Sequence, residues 1–147
     1  MRQVTIMMGI SGSGKSTYIS KMVPIPLRVC SADHYFLKEG EYNFNPSKLG
    51  EAHGECFRNY VESLRKEIPG VVVDNTNTTL AEISPYILGA QAYQYEVKVV
   101  ALMCDAQVAA KRNTHGTPEA TLSQQALRIA DTLSNWPRFW PPIERVG

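Results

Sequence analysis

Gly9-Ile10-Ser11-Gly12-Ser13-Gly14-Lys15-Ser16 is the stretch from which the rest of the chain is read. It fits G-x-x-x-x-G-K-[ST], the pattern of a backbone loop that wraps phosphate. The glycines open conformations closed to other residues, so successive N–H groups of Gly9, Ser11, Gly12, Ser13 and Gly14 can turn inward around a β-phosphate. The positive end of the helix expected to follow adds to the attraction. Lys15 is expected to reach the β- and γ-phosphates and Ser16 to join a Mg²⁺ shell, with Thr17 supporting the nucleotide from the next position. The octapeptide arises by chance in only about 0.5% of chains this long, and its setting between an apolar run and a helical pattern makes chance negligible. ATP or another nucleoside triphosphate, with Mg²⁺, is the expected cofactor pair.

Working outward, residues 4–8 form an apolar run ended by glycine, and similar β-rich runs recur at 27–30, 71–73 and 97–101. Helical spacing fills the intervals at 17–22, roughly 47–68, 80–93, 105–114 and 119–133. Strands alternating with helices predict an α/β fold, with a parallel sheet of four or five strands flanked by helices. The unbroken Val71-Val72-Val73 suits a central parallel strand better than a half-exposed one. Active groups then belong at the C-terminal ends of the strands. Beyond 133, Trp136-Pro137-Arg138-Phe139-Trp140-Pro141-Pro142 reads as an extended tail packed on the body, or as a segment that docks a partner.

The chain of 147 residues is expected to form a single P-loop domain, since this length encloses a proper core. Fifteen basic against fourteen acidic residues leave a net charge of +1, which argues against coating long nucleic acid by charge alone. Cys30, Cys56 and Cys104 are odd in number and form no Cys-x-x-Cys pair, so neither a disulfide framework nor a structural zinc site is implied. No signal-peptide pattern or membrane-length apolar run is present. A cytoplasmic protein is expected, or a nuclear one in a eukaryote, with no membrane association and no protein partner evident.

Transfer of phosphate needs a group that activates an acceptor. Asp33 follows the second strand in Val29-Cys30-Ser31-Ala32-Asp33-His34-Tyr35, where its carboxylate meets the ligand-binding edge. By position alone, a general base and a helix-capping aspartate are equal readings. Asp74 ends an apolar strand in the manner of an acid that supports Mg²⁺ through water.

Five segments in this order resemble the 5′-polynucleotide kinase family and the related P-loop kinase domains found beside RNA-repair and cyclic-phosphodiesterase modules. They are the phosphate loop, Ser31-Ala32-Asp33-His34-Tyr35, Val73-Asp74-Asn75-Thr76-Asn77, Tyr93-Gln94-Tyr95-Glu96-Val97 and Arg112-Asn113-Thr114-His115-Gly116. The resemblance covers nearly the whole chain. It implies that Asp33 accepts the proton of a polynucleotide 5′-hydroxyl and that Asn75, Thr76 and Asn77 position the acceptor. It also implies a P-loop kinase fold with a helical lid, from which Arg112 neutralises the moving phosphoryl group, with Lys15 and Arg112 both on the nucleotide and Arg128 as a further basic residue. Ser16 and Asp74 would serve the metal. The acceptor implied is the 5′ end of DNA or RNA, or a small nucleotide.

Two positions depart from the family pattern. Phe36 stands where these kinases commonly place an arginine for the acceptor's phosphate, and it reads as core packing or as a platform for a base. His115 stands where phage-type lids tend to carry a second arginine. The alternatives are therefore a kinase of a nucleoside or other small metabolite, and a nucleotide-gated regulatory ATPase module.

Overall fold

The strand-forming runs assemble as period-two side chains dictate. In the computed structural model, which describes residues 2–112 and 116–147, β1 (Gln3–Met8) is flanked by β5 (Gly70–Asp74) and β6 (Glu96–Leu102). Between β1 and β5 come β2 (Arg28–Cys30) and a small hairpin of β3 (Leu37–Lys38) and β4 (Glu41–Tyr42); β7 (Ile143–Val146) closes the chain. The sheet order is β2-β5-β1-β6-β7, and every pairing is parallel. From β1 the chain moves to one side of the sheet and then returns past β1 to the other. The C-terminal end of β1 is thus the switch point at which open α/β sheets form a ligand crevice.

Alternation along the strands divides the core into two layers. Val4, Ile6 and Met8 of β1, Val71 and Val73 of β5, and Val99 and Ala101 of β6 face the larger layer. There they meet Tyr60 and Leu64 of α2 (Leu49–Arg65), Ile83 and Ile87 of α3 (Leu80–Ala92), Ala109 of α4 (Ala106–Arg112), and Leu122 and Ile129 of α5 (Glu119–Ser134). Met7, Val72, Val100 and Leu102 face the other way, against Tyr18 and Ile19 of α1 (Lys15–Ser20). Each large apolar side chain buried this way contributes about 1.5–3 kcal/mol relative to exposure. Both faces of the sheet are therefore covered, which explains the near-continuous apolar runs in its central strands.

The segment after α5 packs on the body and adds the fifth strand. Trp136 Nε1 donates to the Pro141 carbonyl at 2.9 Å, and the Trp136 and Trp140 rings meet edge to face with centroids 5.1 Å apart. This turn sets Ile143 opposite Val99, with Lys98 paired to Glu144 at 3.0 Å. The helix expected over 105–114 is described from Ala106 to Arg112, and Asn113, Thr114 and His115, expected to continue it into the lid, lie outside the described residues. Among the described residues no helix is long and apolar enough to cross a membrane.

Candidate active site

The phosphate loop leaves the buried end of β1 and is held by the segment that leaves β5. Gly9 N–H donates to the Thr76 carbonyl at 3.0 Å, and Asn77 Nδ2 donates to the Met7 carbonyl at 2.8 Å. Gly12 adopts φ +81°, and a Cβ placed on it would lie 2.5 Å from the Ala109 carbonyl oxygen of α4, so only glycine fits between loop and helix. Gly14 adopts φ +102° and caps α1, which begins at Lys15, two residues before its expected start. The Lys15 amine bridges the loop, donating to the carbonyls of Gly9 at 2.8 Å and Ile10 at 3.0 Å. Ser13 Oγ is buried with no hydrogen-bond partner among the described residues, while Ser16 and Thr17 are exposed.

Three further expected residues gather around this lysine and its loop. Burial pushes the Lys15 ammonium below its ordinary pKa, and the nearby Asp74 and Asp33 carboxylates oppose that shift, with Cys104 adding a smaller contribution. Asp74 ends β5 in register with Met7 of β1, which brings it to the edge where the loop starts. Arg112 reaches the loop from α4: its Nη1 lies 3.9 Å from where a Gly14 Cβ would stand, and its Nη2 donates to Cys104 Sγ at 3.3 Å. Lys15, Asp33 and Asp74 thus form one charged cluster at the sheet edge, and Arg112 borders the same loop at Gly14.

Asp33 sits in a short 3-10 turn, residues Ala32–Phe36, whose cap is Ser31; the Asp33 N–H donates to Ser31 Oγ at 3.2 Å. The capping expected of an aspartate here is thus done by Ser31, and the Asp33 carboxylate is exposed. Asn75 fixes the start of this turn, its Oδ1 accepting from Ala32 N–H at 2.9 Å and its Nδ2 meeting Cys56 Sγ at 3.5 Å. Asn75 and Asn77 are both buried, and both tie strand ends together. Arg128 is exposed and donates to Gln124 on its own helix at 3.3 Å, a contact that does not join it to the cluster.

Two residues to which the sequence assigned no role belong here, Tyr42 from the 38–67 stretch expected to cover the acceptor side, and Gln125, which the sequence did not single out. Gln125 Oε1 of α5 accepts from the Ser11 N–H at 3.1 Å, so a distant helix holds one amide of the phosphate loop. Tyr42 donates its hydroxyl to Asp33 Oδ1 at 3.1 Å, and burial, then the Asp33 charge and the hydrogen bond, push its pKa up to about 12. Phe36, 4% exposed, packs among Tyr35, Tyr42 and Phe44, which decides it as a core residue.

Loop, sheet order and cluster together define a P-loop protein of the kinase-like type. The chain belongs to the AAA domain family, whose family model matches residues 4–127. Human NEDD4-binding protein 2 is 33% identical over 98 residues, which is 64% of this chain and 5% of that protein. Among solved structures, a chain of the Pnkp1/Rnl/Hen1 RNA repair complex superposes with a TM-score of 0.76 at 16% identity, over 96% of this chain and 48% of that one. A gluconokinase from Sinorhizobium meliloti 1021 superposes with a TM-score of 0.63 at 22% identity, over 99% of this chain and 83% of that one. The chain therefore spans a small part of its human relative and about half of the repair-complex chain, and these structural likenesses speak to the fold.

Proposed function

We propose that the protein transfers the γ-phosphate of ATP to the 5′-hydroxyl end of DNA or RNA. The observation that carries this reading is the Asp33 carboxylate at the C-terminal edge of the sheet, close enough to the phosphate-loop Lys15 to act on its charge. In the transfer, Asp33 accepts the proton of the acceptor hydroxyl as that oxygen bonds to the γ-phosphorus. The bond from γ-phosphorus to the bridging oxygen breaks, and ADP leaves. Lys15 and Arg112 offset the negative charge spread over the phosphoryl oxygens. The loop from Gly9 through Thr17 holds the nucleotide, and the Asn75-Thr76-Asn77 segment supports the acceptor edge by holding the Asp33 turn and the phosphate loop in place. The likeness to a chain of an RNA repair complex supports a polynucleotide acceptor.

The residues present also suit Mg²⁺. Ser16 and Asp74 offer hard oxygen donors next to Lys15, and among the described residues no three His, Cys, Asp or Glu side chains gather into a metal cage. Such a sparse donor set fits an ion that keeps most of its waters and rides on phosphate oxygens. When bound, it would neutralise phosphate charge.

A second reading, a kinase of a small metabolite or nucleoside, draws on the buried Phe36, which leaves no cation at a position where an acceptor phosphate is commonly held. The likeness to a gluconokinase supports it as well. The test offers purified protein, Mg²⁺ and γ-labelled ATP to 5′-hydroxyl DNA and RNA oligonucleotides, to nucleosides and to sugars. Label on an oligonucleotide end is the expected result. Label confined to a small acceptor, or released only as free phosphate, overturns the polynucleotide assignment.

A further inference from the structure

We propose that Tyr42 is the positioning residue for Asp33, holding the acceptor-side carboxylate through its Oδ1 so that it presents one fixed face to the attacking hydroxyl. The inference rests on the reading of Asp33 as the base. It starts from the hairpin, whose turn residues Glu39 and Gly40 take φ of 52° and 79°, the pair of left-handed conformations that a two-residue turn needs to match strand twist. That turn sets the register Leu37 opposite Tyr42 and Lys38 opposite Glu41. The backbone then returns over the 3-10 turn, where Asn43 N–H donates to the Phe36 carbonyl at 2.9 Å. Tyr42 is thereby carried back to a residue nine positions earlier, and its hydroxyl donates to Asp33 Oδ1 at 3.1 Å.

The phenol is braced from below. Phe36 meets the Tyr42 ring edge to face at 6.3 Å and the Phe44 ring at 5.1 Å. A stiff aromatic donor costs little conformational entropy to hold in place, and its bond to Oδ1 adds restraint to the exposed Asp33 carboxylate. The bond is longer than the about 2.5–2.7 Å of a strong O–H donor to a carboxylate, as catalytic hydrogen bonds often are before substrate binds. Phe36 thus serves the acceptor side by supporting Tyr42, which accounts for an aromatic residue where a cation is commonly found.

Two measurements test this. In the first, kcat and the KM for ATP are compared in wild type, Tyr42→Phe, Asp33→Ala and the double variant, each checked by thermal melting. Tyr42→Phe is expected to lower kcat about tenfold, with the KM for ATP within about twofold, and to cost nothing further once Asp33 is alanine. Unchanged kcat in Tyr42→Phe, or an equal loss in the Asp33→Ala background, overturns the proposal. The second needs no activity: tyrosine ¹³Cζ NMR follows phenol ionisation in wild type and Asp33→Asn. One tyrosine that ionises near pH 12 in the wild type should ionise at lower pH in the variant. No change in any tyrosine also overturns it. If the wild type phosphorylates no acceptor, the proposed function falls, while the NMR result still decides whether Tyr42 holds Asp33.

Discussion

Gly12→Ala is the perturbation whose size the structure sets most directly. The residue has φ +81°, and an added Cβ would stand 2.5 Å from the Ala109 carbonyl oxygen, a backbone atom that cannot swing aside. The left-handed conformation costs an L-residue about 1–2 kcal/mol, and forcing a methyl into a packed contact typically costs about 1–3 kcal/mol more. A loss of about 2–5 kcal/mol lowers the melting temperature by roughly 5–15 °C for a chain of this size. Because α4 also carries Arg112, moving Ala109 aside draws that guanidinium from the loop, so the rise in melting temperature on adding MgATP should shrink too. Differential scanning calorimetry with and without MgATP reads both effects. Gly50→Ala is the control: it lies in α2 with nothing within 4 Å of the added Cβ, and it should melt at or slightly above the wild-type temperature. Equal melting of Gly12→Ala and Gly50→Ala would refute the close approach of loop and α4.

Other expectations follow from the same geometry. Burial lowers the Lys15 pKa, so between that value and the ordinary 10.5 the unfolded chain binds more protons, and stability rises with pH. Melting from neutral to alkaline pH should show wild type gaining on Lys15→Met as pH rises, while the variant shows no stabilisation by MgATP. Asn75→Ala leaves the Ala32 N–H without its acceptor, at a cost of about 1–3 kcal/mol. It should lower the unfolding free energy in urea by that amount and reduce kcat more than ATP affinity, since the turn carrying Asp33 loses its tether. Gln125→Ala frees the Ser11 amide for phosphate, and a hydrogen bond worth about 1 kcal/mol predicts roughly fivefold tighter ATP binding by calorimetry.

The central strands could be read from sequence because β1, β5 and the second half of β6 are buried and largely apolar. The edge strand β7 could not. Ile143-Glu144-Arg145-Val146 follows two prolines and carries exposed charges, so nothing local separates it from a tail, and only its register with Val99 to Leu102 makes it a strand. The β3–β4 hairpin has two residues per strand, too few to show a period. Among site residues, Lys15 was legible from its motif, and Asp33 and Asp74 from their places at strand ends. The contacts of Tyr42 and Gln125 were not, because folding creates each of them across the chain; sequence placed Tyr42 only within a stretch expected to cover the acceptor side. The Glu39-Gly40 turn was the one local signal for Tyr42, and Gln125 had none.

The most direct measurement of the central claim compares wild type with Asp33→Ala in two assays on the same preparations: ATP binding by isothermal titration calorimetry, and phosphate transfer to a 5′-hydroxyl oligonucleotide. If Asp33 is the base of a polynucleotide kinase, the variant binds ATP with an affinity within about twofold of wild type while transfer falls at least about a hundredfold, the scale of a lost general base. Transfer that persists in Asp33→Ala, or falls only in step with ATP binding, contradicts the account.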